Sequence, residues 1–152
     1  MIVSPEALLP QEQGRFQQRD LVSEAWADSM RAFREALASP EILDAGILVG
    51  HPGSGKSTWA RAHDSPQIVL FDAVWANRGR RAATANRIRA ESKSAVAVWV
   101  RTPLDLALER NAARPAWRRV PEPVLRKAWA DLLKSPPTLA EGWHRVLVVR
   151  GC

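Results

Sequence analysis

One segment, Gly50-His51-Pro52-Gly53-Ser54-Gly55-Lys56-Ser57-Thr58, constrains the fold of this chain more than any other. It follows the apolar run Ile47-Leu48-Val49 and leads into a stretch, Ser57 to His63, that reads as a short helix. Gly50, Gly55, Lys56 and Ser57 satisfy the pattern G-x-x-x-x-G-K-[ST], and a strand before it with a helix after it is the setting in which that pattern has meaning. Glycines let the backbone curl so that successive N–H groups face phosphate oxygens. The helix adds the positive end of its dipole. In such a loop His51, Pro52, Gly53 and Ser54 shape the cradle, and Lys56 reaches the β- and γ-phosphates. The Ser57 hydroxyl ligates Mg²⁺, and Thr58 adds a phosphate contact. The predicted ligand is a nucleoside triphosphate, ATP, with Mg²⁺.

A second apolar run, Ile68-Val69-Leu70-Phe71, ends in Asp72. A carboxylate at the carboxyl end of a strand faces the crevice of an α/β sheet, where it can hold Mg²⁺ directly or through water. Transfer of a phosphoryl group spreads charge over its equatorial oxygens, so cations are expected above the phosphates. The stretch from Glu109 to Arg119 supplies Arg110, Arg114, Arg118 and Arg119. Arg110 and Arg114 lie four apart on one helix face. The chain then breaks at Pro115 into a loop with the character of a mobile lid.

Strand-like runs (47–49, 68–71, 95–100 and 146–149) alternate with helical stretches (57–63, 80–92, 102–113 and 123–134). That alternation predicts an α/β protein with a parallel sheet. Leu21 to Ala38 adds an earlier amphipathic helix, closed by Ser39-Pro40, and residues 1–18 read as an irregular arm. The expected architecture is a three-layer P-loop fold with a reduced, mainly parallel four-stranded sheet and an extra N-terminal helix. Residues 1–45 form an arm and helix packed on the core, and residues 46–152 form the nucleotide-binding domain.

With 152 residues the chain is long enough for one domain with a real core. No apolar stretch approaches the roughly 20 residues that span a bilayer, and no signal segment opens the chain. The expectation is a cytoplasmic protein with no membrane partner. The only cysteine, Cys152, excludes a disulfide framework. Charge is uneven: residues 1–45 carry a net −4 and the remainder +10. A basic half suits a polyanion such as nucleic acid, although arginine-rich, tyrosine-free composition also follows from GC-rich coding. Arg78, Arg81 and Trp75 are candidate contacts to an acceptor.

Gly50-His51-Pro52-Gly53-Ser54-Gly55-Lys56-Ser57-Thr58-Trp59-Ala60-Arg61 closely resembles the phosphate loop of the 5′-kinase domain of phage polynucleotide kinase, one of the small P-loop kinases. The similarity continues in order. The segment from Phe71 to Arg81 resembles a stretch beginning D-A-T-N, with Asp72 at the acid position and Arg81 at its arginine. Leu106 to Arg114 resembles the lid helix, with Arg110 and Arg114 at its arginines. Val120 to Trp143 resembles the adenine-side helix and the turn that follows it. The resemblance covers about residues 46–150. It implies Mg·ATP-dependent transfer of the γ-phosphate to a hydroxyl of a polynucleotide or nucleotide, with Lys56, Asp72, Arg110 and Arg114 catalytic. The acceptor is a 5′-hydroxyl end or, in a phage-encoded enzyme working in the host cytoplasm, a hydroxymethylated DNA base. The sheet order it implies is 3-1-4-5 in the family's numbering.

Two departures stand out. The resembling kinases place a strand and acceptor-binding helices between the phosphate-loop helix and D-A-T-N, where only residues 63–67 lie here. Their catalytic base and acceptor arginine come from that piece, and no residue here is matched to either. D-A-T-N is replaced by Asp72-Ala73-Val74-Trp75. The helix within residues 17–38 is a candidate to fold over the shortened edge, bringing Asp20, Glu24 and Asp28, although that spacing equally describes a solvated stripe. Two alternatives stand beside the polynucleotide kinase: a small-molecule or nucleoside kinase, and a non-catalytic ATP-binding module that lost its acceptor site.

Overall fold

A computed structural model describes residues 1–150; Cys152 lies outside them. In chain order the elements are β1 (Ile2–Val3), α1 (Arg19–Leu37), β2 (Asp44–Val49), α2 (Lys56–Ala62), β3 (Ile68–Asp72), α3 (Arg78–Ala90), β4 (Ser94–Arg101), α4 (Leu104–Ala112), α5 (Glu122–Lys134) and β5 (Arg145–Arg150). The strands form a parallel sheet of order β1-β3-β2-β4-β5.

The central strands are apolar throughout because both faces of a parallel sheet are covered. Ala45, Ile47 and Val49 of β2, Val69 and Phe71 of β3, and Ala95, Ala97 and Trp99 of β4 point to one face. There they join Phe33 and Leu37 of α1, Ala85 and Ile88 of α3, and Leu132 of α5. Leu48, Leu70, Val96, Val98 and Val100 point to the other face and meet Ala60 of α2. Two cores on opposite faces of one sheet make three layers. Among the described residues no helix is long and apolar enough to cross a membrane.

The sheet has five strands, not the four expected. The order expected for those four is present as β3-β2-β4-β5, and the fifth strand comes from the N-terminal arm. Ile2 and Val3 pair in parallel with Leu70 and Phe71. A two-residue strand carries no periodicity, so it was hidden in a stretch punctuated by Pro5 and Pro10. The edge of β3 is therefore met by β1, while α1 lies over the sheet face. Its buried stripe of Ala25, Ser29, Phe33 and Leu37 recurs every fourth residue, and Phe33 meets Phe71 edge-on at 5.8 Å. Asp20, Glu24 and Asp28 are exposed on the opposite side, and Asp28 pairs with Arg31 at 3.0 Å.

Two expected acceptor contacts are part of the packing. Trp75 is 4% exposed, its ring wedged edge-on against Trp26 and Phe71, and its indole N–H donates to the Phe71 carbonyl at 3.0 Å. Its ring is engaged in the core, although the residue also borders the cavity of the candidate site. Arg81 is fully buried. Its guanidinium donates to both Glu141 oxygens at 2.9 and 3.0 Å and to the carbonyls of Trp75 and Ser135 at 2.8 and 2.9 Å. It joins the start of α3 to the turn before β5 and cannot reach an acceptor.

Candidate functional site

All five strands run the same way, so the loops after β1, β2, β3 and β4 open on one crevice. The chain leaves β2 at Val49 and turns through residues 50–55 into α2. Gly53 has φ +78°, and a Cβ there would sit 2.9 Å from the Ala107 carbonyl oxygen. At Gly50 a Cβ would meet Ser54 Oγ at 2.6 Å and the Val100 carbonyl at 2.9 Å. Glycine is required at both positions by space, and at Gly53 also by conformation. Neighbouring elements hold the loop in place. Thr102, just after β4, donates its hydroxyl to the Ser54 carbonyl at 2.6 Å, and Arg110 of α4 donates to the Gly53 carbonyl at 3.2 Å.

Lys56 opens α2 and curls its ammonium back over the loop, donating to the carbonyls of Gly50 and His51 at 2.7 and 3.2 Å. Burial pushes its pKa down, and the Asp72 carboxylate works the other way. Next in the helix, the Ser57 hydroxyl donates to Asp72 Oδ2 at 3.4 Å. Burial raises the Asp72 pKa against the pull of Lys56. His51 is buried, and desolvation followed by the Lys56 charge pushes its pKa down to about 4. The ring is neutral at pH 7 and shapes the loop from beneath. The Ser54 hydroxyl, also buried, has no hydrogen-bond partner among the described residues.

These residues border a cavity of about 840 Å³. Pro52, Gly53, Ser54, Gly55, Lys56, Ser57, Thr58 and Asp72 line one side. Arg110, Arg114 and Arg118 reach it from α4 and the loop that follows. Burial lowers the Arg114 pKa while the charge of Glu6 opposes the shift. Gly50 and His51 support the loop without lining the cavity. Arg119 turns away and donates to the Arg114 carbonyl at 2.7 Å. Arg78 is exposed at the start of α3 and off the wall, whereas its neighbour Arg80 lines it. The expected lid is pinned at its ends: Asn111 donates to the Val120 carbonyl at 2.7 Å and accepts from the Val120 amide at 3.0 Å. No protein-family model matches this chain, and no curated protein matches it in sequence.

A further part of the lining is one that the sequence pattern missed. It consists of Ser4, Pro5, Glu6, Leu9 and Phe16 of the arm, with Val22 and Trp26 of α1. Glu6 accepts from Arg15 at 2.9 Å and lies 3.8 Å from Arg118. Arg15 is itself buried, its guanidinium 4.7 Å from the Phe16 ring centre and 4.9 Å from that of Trp117. One signal was present: an acid shortly after the apolar pair Ile2-Val3 echoes Asp72 after Ile68–Phe71.

Proposed function

We propose that this chain is a Mg·ATP-dependent kinase that transfers the γ-phosphoryl group to a hydroxyl of a polynucleotide or nucleotide. One observation carries the proposal. Lys56, Ser57 and Asp72 converge with Arg110 and Arg114 on one cavity at the carboxyl ends of parallel strands. The loop amides and Lys56 hold the triphosphate, and the arginines neutralise the charge that develops during transfer.

Ser57 and Asp72 fit Mg²⁺. They offer two hard oxygens 3.4 Å apart, and Mg²⁺ is commonly bound by one or two protein oxygens together with substrate phosphates and water. Among the described residues no group of three or more His, Cys, Asp and Glu gathers, and a phosphate-sharing Mg²⁺ site needs none. The ion, when bound, would offset charge on the phosphate oxygens.

A nucleic-acid or nucleotide acceptor is supported by two features. Arg80 and Arg118 are exposed and line the cavity. The lining also includes the apolar or aromatic Leu9, Phe16, Val22 and Trp26, a surface against which the apolar body of a base can pack. Transfer from labelled ATP to DNA and RNA with 5′-hydroxyl ends, hydroxymethylated DNA and free nucleosides tests the proposal. Label on a polynucleotide, with affinity that falls steeply as salt rises, supports it. Label on free nucleosides alone assigns a small-molecule kinase. ATP binding without transfer to any acceptor leaves a nucleotide-binding module.

A further inference from the structure

We infer that Glu6 is the acceptor-side catalytic carboxylate, orienting the attacking hydroxyl and taking its proton, and that the buried Arg15 is the positioning residue that holds it there. This inference rests on the kinase assignment above.

The sheet brings Glu6 to the site. Val3 pairs with Phe71, and Leu48 of β2 pairs with Asp72. The chain leaving β1 therefore emerges at the same level as Asp72, one strand further out. Glu6 follows at once and lines the cavity with Lys56, Asp72 and Arg114. Its charge acts across that cavity: it favours the cationic forms of Lys56 and Arg114 and opposes ionisation of Asp72. The carboxylate thus borders the same cavity as the Lys56 and Arg114 cations that would hold the terminal phosphate.

The mounting of Glu6 is costly, as expected of a built feature. A buried arginine is expensive unless fully paired. Arg15 has a side chain 4% exposed, and its Nε has no hydrogen-bond partner among the described residues. It is held between the aromatic rings of Phe16 and Trp117, and its bond to Glu6 goes to Oε1. The Arg118 contact also goes to Oε1. Among the described residues no hydrogen bond is made to Oε2. One oxygen is anchored, then, and the other can accept from a hydroxyl. A side chain 42% exposed is open to an entering substrate.

The transfer balances with the groups named. The acceptor oxygen forms a bond to the γ-phosphorus as the bond from that phosphorus to the β–γ bridging oxygen breaks. The electron pair leaves with the nucleoside diphosphate, and the hydroxyl proton passes to Glu6.

The test compares wild type with Glu6→Gln, which keeps the shape and an acceptor oxygen for Arg15, and with Glu6→Asp. MgATP affinity, melting temperature and kcat for phosphoryl transfer are measured on the full chain. For Glu6→Gln the MgATP affinity should stay at the wild-type level or rise while kcat, measured below the melting transition, falls about 100-fold. The melting temperature should drop because the buried Arg15 loses its counter-charge, and Glu6→Asp should recover part of the kcat loss. Undiminished kcat in Glu6→Gln, or a loss of kcat matched by lost nucleotide affinity, overturns the role of Glu6 and leaves the kinase assignment standing. A wild-type protein that binds MgATP but transfers to no acceptor, or binds none, overturns both.

Discussion

The Ser57 hydroxyl and the Asp72 carboxylate meet at 3.4 Å, joining the helix after β2 to the end of β3. Sixteen residues of sequence contain both, yet it is strand pairing, with Leu48 beside Asp72, that makes them neighbours.

Asp72→Asn should separate stability from function. Burial raises the Asp72 pKa, so the folded chain binds a proton more readily than the unfolded chain does. Stability from this group is present below the ordinary value of 3.8 and is lost as pH rises through the higher folded value. At pH 7 the ionised group is a cost, and the neutral amide should melt at the same temperature or higher. The same variant should lose the gain in ATP affinity that Mg²⁺ brings. Calorimetry with and without Mg²⁺ checks both.

His51 should make the fold acid-sensitive. Its pKa falls from 6.5 to about 4 on folding, so stability is full above 6.5 and is lost as pH falls toward 4. The loss amounts to about 3 kcal/mol. Thermal unfolding of wild type and His51→Gln between pH 7 and 4 reads this out. The variant should have a shallower slope across that window.

The Arg81–Glu141 pair should behave as a buried lock. Both side chains are fully buried. Arg81→Ala alone should cost about 3–5 kcal/mol because it strands the Glu141 charge. A double replacement by apolar residues of similar volume should cost far less. Burial opposes ionisation of Glu141, but hydrogen bonds from Arg81 and Trp143 hold its pKa below the ordinary 4.5. Its contribution is therefore present above 4.5 and lost as pH falls below that value. Urea unfolding of the two variants checks the lock.

Much of the fold was legible. Ile47–Val49, Ile68–Phe71 and Ala95–Val100 are short apolar runs that suit buried parallel strands, and Gly50 to Ser57 fixed the turn between the first and its helix. What stayed hidden depends on distant partners. Arg81 sits in an arginine-rich helix that looks solvated, and its partner Glu141 is 60 residues away. Trp75 is the loop residue it looked like, but its burial depends on Trp26, which packs edge-on against it from an earlier helix. Ile2-Val3 is too short to show a period, so Glu6 had no visible strand to place it.

Lys56 offers the most direct measurement. Its ammonium caps the loop carbonyls of Gly50 and His51, and removing a charge-assisted contact to phosphate costs about 1.5–3 kcal/mol. Titration calorimetry with MgATP should show binding to wild type and affinity weaker by about 10- to 150-fold in Lys56→Met, with the melting temperature kept or raised. No heat of binding to wild type, or equal affinity in both proteins, would contradict a nucleotide held by this loop.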